Sequence, residues 1–367
     1  MFFCPIPTPR LQLHVTVAGA MLAPMALGAC VVKVDSNDFR AREEKRFEVS
    51  GAPDINLTTF DGAIDVRGWD RDEVFVEVEK RGREKDAVEQ IEVVSDQKGN
   101  RITLEARQPG GKKYAFGMLT SMSRSAKLIA SVPRGSNIIL RSGDGSISIE
   151  QVKGRIELRT SDGSITGLDL NGDLLARTDN GAVRLNSVDG RCDVVTGDGS
   201  ITLDGRFDFV RARTNDGSVT VKVLPGSKVG ENWSLMTGDG NAIVYLPDGL
   251  SADLDAESNH GHTRVDQALR INTDGESSKT MLRGRIGEGG GNLRIRTVDG
   301  HIFFKRLPFK LRIPDSERTE RLERLERLEK FERFERPEPP EPPEHPEPLE
   351  KPEKPEKPEK PERRARP

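Results

Sequence analysis

Asp144, Asp162, Asn180, Asp198 and Asp216 recur at one constant interval, and a row of side-chain oxygens at fixed spacing is the raw material of a calcium site. Calcium needs six or more oxygens converging on one point. Calcium-binding nonapeptide repeats supply an acid every nine residues within Gly-Gly-x-Gly-x-Asp. The interval here is twice as long, and one acidic turn per interval falls short of that density. The row therefore reads as turn chemistry, its charge relieved by an arginine column beginning at Arg141. His260 and His262 flank Gly261 and so place two imidazoles on one side of a strand, as a zinc site would. No third ligand accompanies them, which assigns them to a turn and the surface. Cys192 falls among aliphatic positions and reads as a small buried hydrophobe rather than a nucleophile. Trp69, Trp233, Tyr114 and Tyr245 are scattered along the chain and form no evident carbohydrate-stacking platform. The sequence thus assigns no catalytic, cofactor-binding or metal-ligating residue, and no cofactor.

The elements that carry these residues are legible in an internal repeat. Ser142-Gly143-Asp144-Gly145-Ser146-Ile147 returns as Thr160-Ser161-Asp162-Gly163-Ser164-Ile165. Three further copies follow, and the marker glycines Gly145, Gly163, Gly181, Gly199 and Gly217 advance by eighteen at every step. Looser copies occur at Thr59–Gly62, Thr237–Gly240 and Thr297–Gly300. Down the columns, Ile147, Ile165, Val183, Ile201 and Val219 align, as do Ile138, Ile156, Leu174, Cys192 and Val210. Leu140, Leu158, Ala176, Val194 and Ala212 form a third aliphatic column. Polar columns alternate with them: Ser148, Thr166, Arg184, Thr202, Thr220, and Arg141, Arg159, Arg177, Val195, Arg213. This period of two marks strands with one buried face.

Each unit then holds two short strands and two turns, the second near Lys153-Gly154, Asn171-Gly172 and Asp189-Gly190. Asp-Gly and Asn-Gly suit turns because glycine tolerates positive φ and Asx side chains bond the local backbone. One unit cannot bury its apolar side, whereas stacked units can, each coil pairing with the next at about 4.8 Å. The expectation is an all-β fold, a single-stranded parallel β-solenoid, right-handed by the general crossover rule. A hexapeptide helix and a propeller are excluded by the column offsets and the repeat length. Residues 40–135 read as the irregular N-terminal end of the same solenoid, with strands at Ile64–Val66, Val74–Val78, Arg101–Ala106 and Lys127–Val132 and a short helix at Glu84–Gln90.

Gly62-Ala63-Ile64-Asp65-Val66-Arg67-Gly68-Trp69, the Glu/Val strand after it, Val132-Pro133 and the serial Thr-x-Asp-Gly-Ser-Ile units resemble the DUF4097 family of adhesin-labelled β-strand-repeat proteins, over roughly residues 45–305. The resemblance implies a right-handed β-helix, a place in the cell envelope and no known catalysis. It carries over no functional residue.

The ends have their own chemistry. Leu11–Ala29 is apolar and small and ends in Leu27-Gly28-Ala29-Cys30, which reads as a secretory signal peptide over residues 1–29. Gln12, His14, Thr16 and Pro24 make it a poor membrane span. The Leu-Gly-Ala-Cys ending resembles the lipobox of bacterial lipoproteins, which implies acylation of Cys30 and stable anchoring by more than one chain. In that pattern an Asp after the Cys retains the protein at the inner membrane, and Val31 here implies the outer membrane. Residues 30–44 then form a linker and residues 45–310 the solenoid. From Glu317 to Glu362 a glutamate stands at every third position. Residues 311–336 are expected as an exposed charged helix with favourable i,i+4 pairs. Residues 337–367, which hold about half of the prolines, are expected as a disordered or polyproline II tail.

Composition narrows the function classes. With 57 Lys+Arg against 60 Asp+Glu, a net charge of -3 argues against a nucleic-acid coat. Three cysteines cannot build a disulfide framework. The reading is a non-enzymatic envelope lipoprotein whose solenoid serves as a binding, adhesive or scaffold surface. Its partners would be the membrane, through the lipid, and a cell-wall, glycan or envelope-protein ligand; no nucleic acid and no small-molecule substrate is indicated. A carbohydrate-active β-helix enzyme is the alternative, with Ser251–Gly291 as the stretch that could wall a cleft. A self-assembling scaffold is the third class.

Overall fold

The computed structural model describes residues 30–35, 38–108 and 124–308. The signal peptide, Tyr114, the charged segment 311–336 and the Pro-rich tail lie outside the described residues. The chain begins with β1 (Cys30–Asp35), β2 (Asp38–Glu48), β3 (Asp54–Thr59), β4 (Ile64–Trp69) and β5 (Glu73–Gly82). Helix α1 (Lys85–Glu89), β6 (Glu92–Lys98), β7 (Arg101–Arg107) and β8 (Arg124–Pro133) follow. The regular part comprises β9 (Asn137–Ser142), β10 (Ile147–Glu150), β11 (Lys153–Thr160), β12 (Ile165–Thr178), β13 (Val183–Thr196), β14 (Ile201–Asp216) and β15 (Val219–Val223). Then come β16 (Trp233–Asp239), β17 (Ala242–Leu246), β18 (Ala252–Ser258) and β19 (Thr263–Val265). The last strands are β20 (Ile271–Ser277), β21 (Met281–Ile286), β22 (Asn292–Asp299) and β23 (Ile302–Arg306).

Parallel pairing stacks these strands into two faces of a β-solenoid. Ile147 lies beside Ile165, Ile165 beside Val183, Val183 beside Ile201 and Ile201 beside Val219. This column belongs to the second face; on the first face Ile138, Ile156, Leu174, Cys192 and Val210 pair in turn. All of these side chains are at most 4% exposed. Like aliphatics therefore sit over like and fill the space between the faces, as the period-2 alternation requires.

The second turn differs from its expected form. Chain pairing continues straight across it, so that Lys153 to Thr160 lie in unbroken register with Asn171 to Thr178. The corner is made by Gln151, Asp169 and Ser187, each at φ between 54° and 58°, three residues before Gly154, Gly172 and Gly190 at φ of 119° to 152°. Asn and Asp enter the left-handed region most readily among residues with a side chain, which fits Asp169.

The marker glycines serve a different need from the one their turns suggest. Of the five, only Gly217 has positive φ. A methyl on Gly145, Gly163, Gly181 or Gly199 would instead overlap the carbonyl oxygen of the marker glycine one coil before it (Gly62 in the case of Gly145). Close approach between coils, rather than turn conformation, excludes a side chain there.

Coil order departs from chain order at both ends. The coil of β3 and β4 lies between that of β7 and β8 and that of β9 and β10. Likewise the coil of β22 and β23 lies between that of β16 and β17 and that of β18 and β19. This arrangement leaves the outermost strands free to be covered by antiparallel neighbours: β6 on β7, β5 on β8, β2 on β5, β21 on β18 and β20 on β21. Covered edges do not template pairing with other chains. Residues 30–44, expected as a linker, carry β1 and part of β2, paired antiparallel with Cys30 opposite Glu43. Ser251–Gly291, the candidate cleft wall, instead forms β18 to β21, which are the outermost coil and its antiparallel cover.

Candidate binding surface

A hydroxyl ladder fixes the marker turns of successive coils. Thr160 donates to Gly145 O at 2.8 Å, Thr178 to Gly163 O at 2.9 Å, Thr196 to Gly181 O at 2.8 Å and Thr214 to Gly199 O at 2.9 Å. Thr237, Thr297 and Ser258 continue the series to Gly217, Gly240 and Gly300. Several of these oxygens also accept from the glycine of their own coil, as Thr178 Oγ1 does from Gly181 N at 3.1 Å. The hydroxyls are buried, and each cross-links two coils through a carbonyl that no strand ladder satisfies. The cue was a Ser or Thr three residues before each marker glycine. Ser258-Asn259-His260-Gly261 is a further copy of the turn, concealed because His replaces the Asx.

The carboxylate row stands on these turns and points to solvent. Asp216 lies beside Asp239 and Asp239 beside Asp299. Asn180 Nδ2 donates to Asp162 Oδ1 at 2.5 Å. Burial and then the charge of Asp144 push the Asp61 carboxyl up. The arginine column does not relieve this charge. Arg141 and Arg159 both bind Glu157, at 3.1 and 3.0 Å, on the adjoining face. Among the described residues no three His, Cys, Asp or Glu side chains converge as a metal site would require. Cys192 is fully buried, and burial pushes its thiol far above the usual range, as for an inert core thiol.

The two histidines part company. His260 Nδ1 meets Asp299 Oδ1 at 2.8 Å, while His262 packs on His301, ring centroids 5.6 Å apart. His301 in turn meets Phe303 edge-on at 6.0 Å. Lys305 sits 5.8 Å from the Phe303 ring and 5.6 Å from that of Tyr245. Tyr245 is therefore not isolated, as a survey of Trp and Tyr alone implied. Trp233 is buried, edge-on to Phe207 at 6.3 Å. Trp69 donates its indole N–H to Glu73 O, with Arg71 over the ring at 4.9 Å.

The outward side chains of the second face form one lane along the solenoid. Register places Ser148, Thr166, Arg184, Thr202 and Thr220 abreast, followed by Ile243, Phe303 and Arg264. Two positions earlier in the chain stand Ser146, Ser164, Ser200 and Ser218. Four coils thus present paired hydroxyls around a buried Ile or Val, and the lane ends at the ring cluster of β17, β23 and β19.

Ion pairs lock the C-terminal cover on the first face. Burial pushes the Asp255 carboxyl up, but a 2.6 Å bond from Arg296 and the charges of Arg294 and Arg283 outweigh it and hold the group below the usual carboxylate range. Between β18, β21 and β22 lies a shallow groove of about 330 Å³ lined by Asp253, Asp255, Arg283, Arg285 and Asn292.

Among solved structures, this fold is similar to a "putative cell adhesion protein" from Clostridium sporogenes at 15% identity, covering 72% of this chain and 99% of that one with a TM-score of 0.25. It is similar also to a "putative adhesin" from Bacteroides fragilis at 10% identity, covering 72% and 97% with a TM-score of 0.32. A "putative lipid binding protein" from Parabacteroides distasonis matches at 12% identity over 73% and 97%, again with a TM-score of 0.32. No curated protein matches the sequence. The family model named Toastrack DUF4097 matches residues 52–304, from β3 through β23, and the chain belongs to that family.

Proposed function

We propose that the protein is a non-enzymatic envelope lipoprotein, anchored through Cys30, whose solenoid is a rigid surface for binding. The observation that carries this reading is the hydroxyl ladder, which cross-links successive coils through buried bonds and so holds the corresponding outward side chains of those coils in line. A surface ordered before it meets its partner avoids much of the ordering entropy of association. Anchoring rests on the Leu-Gly-Ala-Cys sequence, with Val31 directing the protein to the outer membrane. Cys30→Ala is expected to move the protein from the membrane pellet to the soluble fraction and to abolish incorporation of labelled fatty acid. Unchanged pelleting together with unchanged labelling contradicts the anchor.

A further inference from the structure

We infer that the N-terminal cover is seated on the lipid bilayer without a leash, with strand β1 at the headgroups and the stack of coils leading away from them, an assignment that rests on the anchoring reading above. Residues 30–44, as a free linker, would reach about 50 Å when fully extended. They are strand instead. Cys30 opens β1 and stands opposite Glu43, and all six residues of β1 pair with β2. β2 pairs with β5 through ten residues, and β5 with β8 through eight. Glu43 is clamped by Lys45 at 2.9 Å and Lys80 at 3.1 Å, and Arg42 by Glu77 and Glu79 at 3.0 Å each. Acyl chains on Cys30 therefore leave directly from a paired strand, and the sheet has no slack with which to stand off from the bilayer that holds them.

The edge of β1 suits this seat. Among the described residues β1 pairs with β2 alone, so its other edge presents backbone groups without a strand partner. Such an edge invites pairing with another chain, whereas phosphates, ammonium groups and water in a headgroup layer supply the donors and acceptors it needs. Charge does not choose the lipid. The β1–β2 hairpin carries Lys33, Arg40, Arg42, Lys45 and Arg46 against Asp35, Asp38, Glu43, Glu44 and Glu48, and β5 adds Lys80 and Arg81 against Glu73, Glu77 and Glu79. That near balance gives no pull towards anionic lipid, so the acyl chains set the contact. The long sides of the solenoid are poorer seats. Asp144, Asp162, Asp198 and Asp216 are exposed along the marker turns, Arg159, Arg177 and Arg213 on the first face, and Arg184 and Arg264 on the second. Val94 and Val298 are the exposed large hydrophobic side chains among the described residues, too few for an apolar flank that would lie in the interface. On the second face twelve strand spacings of about 4.8 Å separate β1 from β19, which puts the C-terminal cover about 58 Å along the stack from the anchored strand.

The test uses the mature lipidated protein in phosphatidylethanolamine vesicles, with and without phosphatidylglycerol, that carry a fluorescence quencher on the headgroup. Cys192 is fully buried, so a fluorophore can be attached selectively at Arg40→Cys on β2 or at Arg264→Cys on β19. The Arg40→Cys label is expected to be quenched severalfold more strongly than the Arg264→Cys label, and equally in both lipids. A flexible Gly-Ser spacer as long as residues 30–44, inserted after Val31, is expected to remove most of that difference while vesicle binding persists. Circular dichroism verifies that each variant is folded. Equal quenching at the two sites overturns the seating, as does quenching that the spacer leaves unchanged or that requires phosphatidylglycerol. If Cys30→Ala binds the vesicles as wild type does, the anchor falls and the seating with it. If Cys30→Ala stays in solution while the two labels of the lipidated protein are quenched alike, the anchor stands and the seating alone is wrong.

Discussion

Thr178 shows what the repeat demands of one residue. Its hydroxyl is almost fully buried, donates to Gly163 O at 2.9 Å and accepts from Gly181 N at 3.1 Å. Thr178→Val keeps the shape and leaves a buried carbonyl and a buried amide without partners. The expected cost is about 2 kcal/mol, since an unmade buried hydrogen bond costs more than a formed one contributes. Thr178→Ser keeps the oxygen and is expected to cost less than half as much. Urea unfolding of the two variants, compared at equal m-values, checks this; equal destabilisation contradicts the ladder. Gly181 belongs to the same unit, because a side chain there would overlap both the Thr178 hydroxyl and the Gly163 carbonyl of the neighbouring coil. The sequence displays both residues in every copy of the motif. It does not display the reason, because a bond from one coil to the next is visible only once the coils are stacked.

At the scale of elements, strands and columns were legible wherever apolar residues alternate. Alternation at Ile147–Glu150 and Val219–Val223 fixes which side is buried, and the constant repeat length fixes the neighbour. The ends were not legible in the same way. Pairing partners there depend on which coil the chain returns to, and β3 pairs with both β7 and β9 without any sequence mark of the choice. The ring cluster was hidden for a related reason. Tyr245 and Phe303 are distant in sequence and become neighbours only because β23 inserts beside β17. The C-terminal cover offers a test at this scale. Asp255 is held below the usual carboxylate range by Arg296, Arg294 and Arg283, so its contribution to stability is complete above the unfolded carboxyl pKa of about 3.9 and is lost as pH falls through the lower folded value. Amide protection in β18 and β21, taken relative to intrinsic exchange at each pH, is therefore expected to fall in acid below that range. Asp255→Asn is expected to exchange faster at neutral pH and to show a weaker acid dependence. An acid profile identical to wild type contradicts the role given to these ion pairs.

The described residues form a stack of coils with nearest-neighbour coupling and two dissimilar covers. Coils from β9 to β15 follow chain order, so any one of them can be removed without rerouting the rest. The covers cannot be treated so, because each interleaves with the coil inside it. Repeat proteins of this type have stability that is approximately a sum over repeats and interfaces. That additivity makes the length of a deletion, rather than its mere presence, the decisive variable. Removing Asp162–Asp179 joins Ser161 to Asn180 and takes out one full coil. Removing Asp162–Leu170 takes out half a coil and returns the chain on the wrong face. Urea unfolding followed by the β-strand circular-dichroism signal is the measurement. The stacked register predicts a cooperative transition for the full-coil deletion, with a midpoint modestly below wild type, and no folded baseline for the half-coil deletion. Loss of the β signal in the full-coil deletion, or equal behaviour of the two, contradicts it.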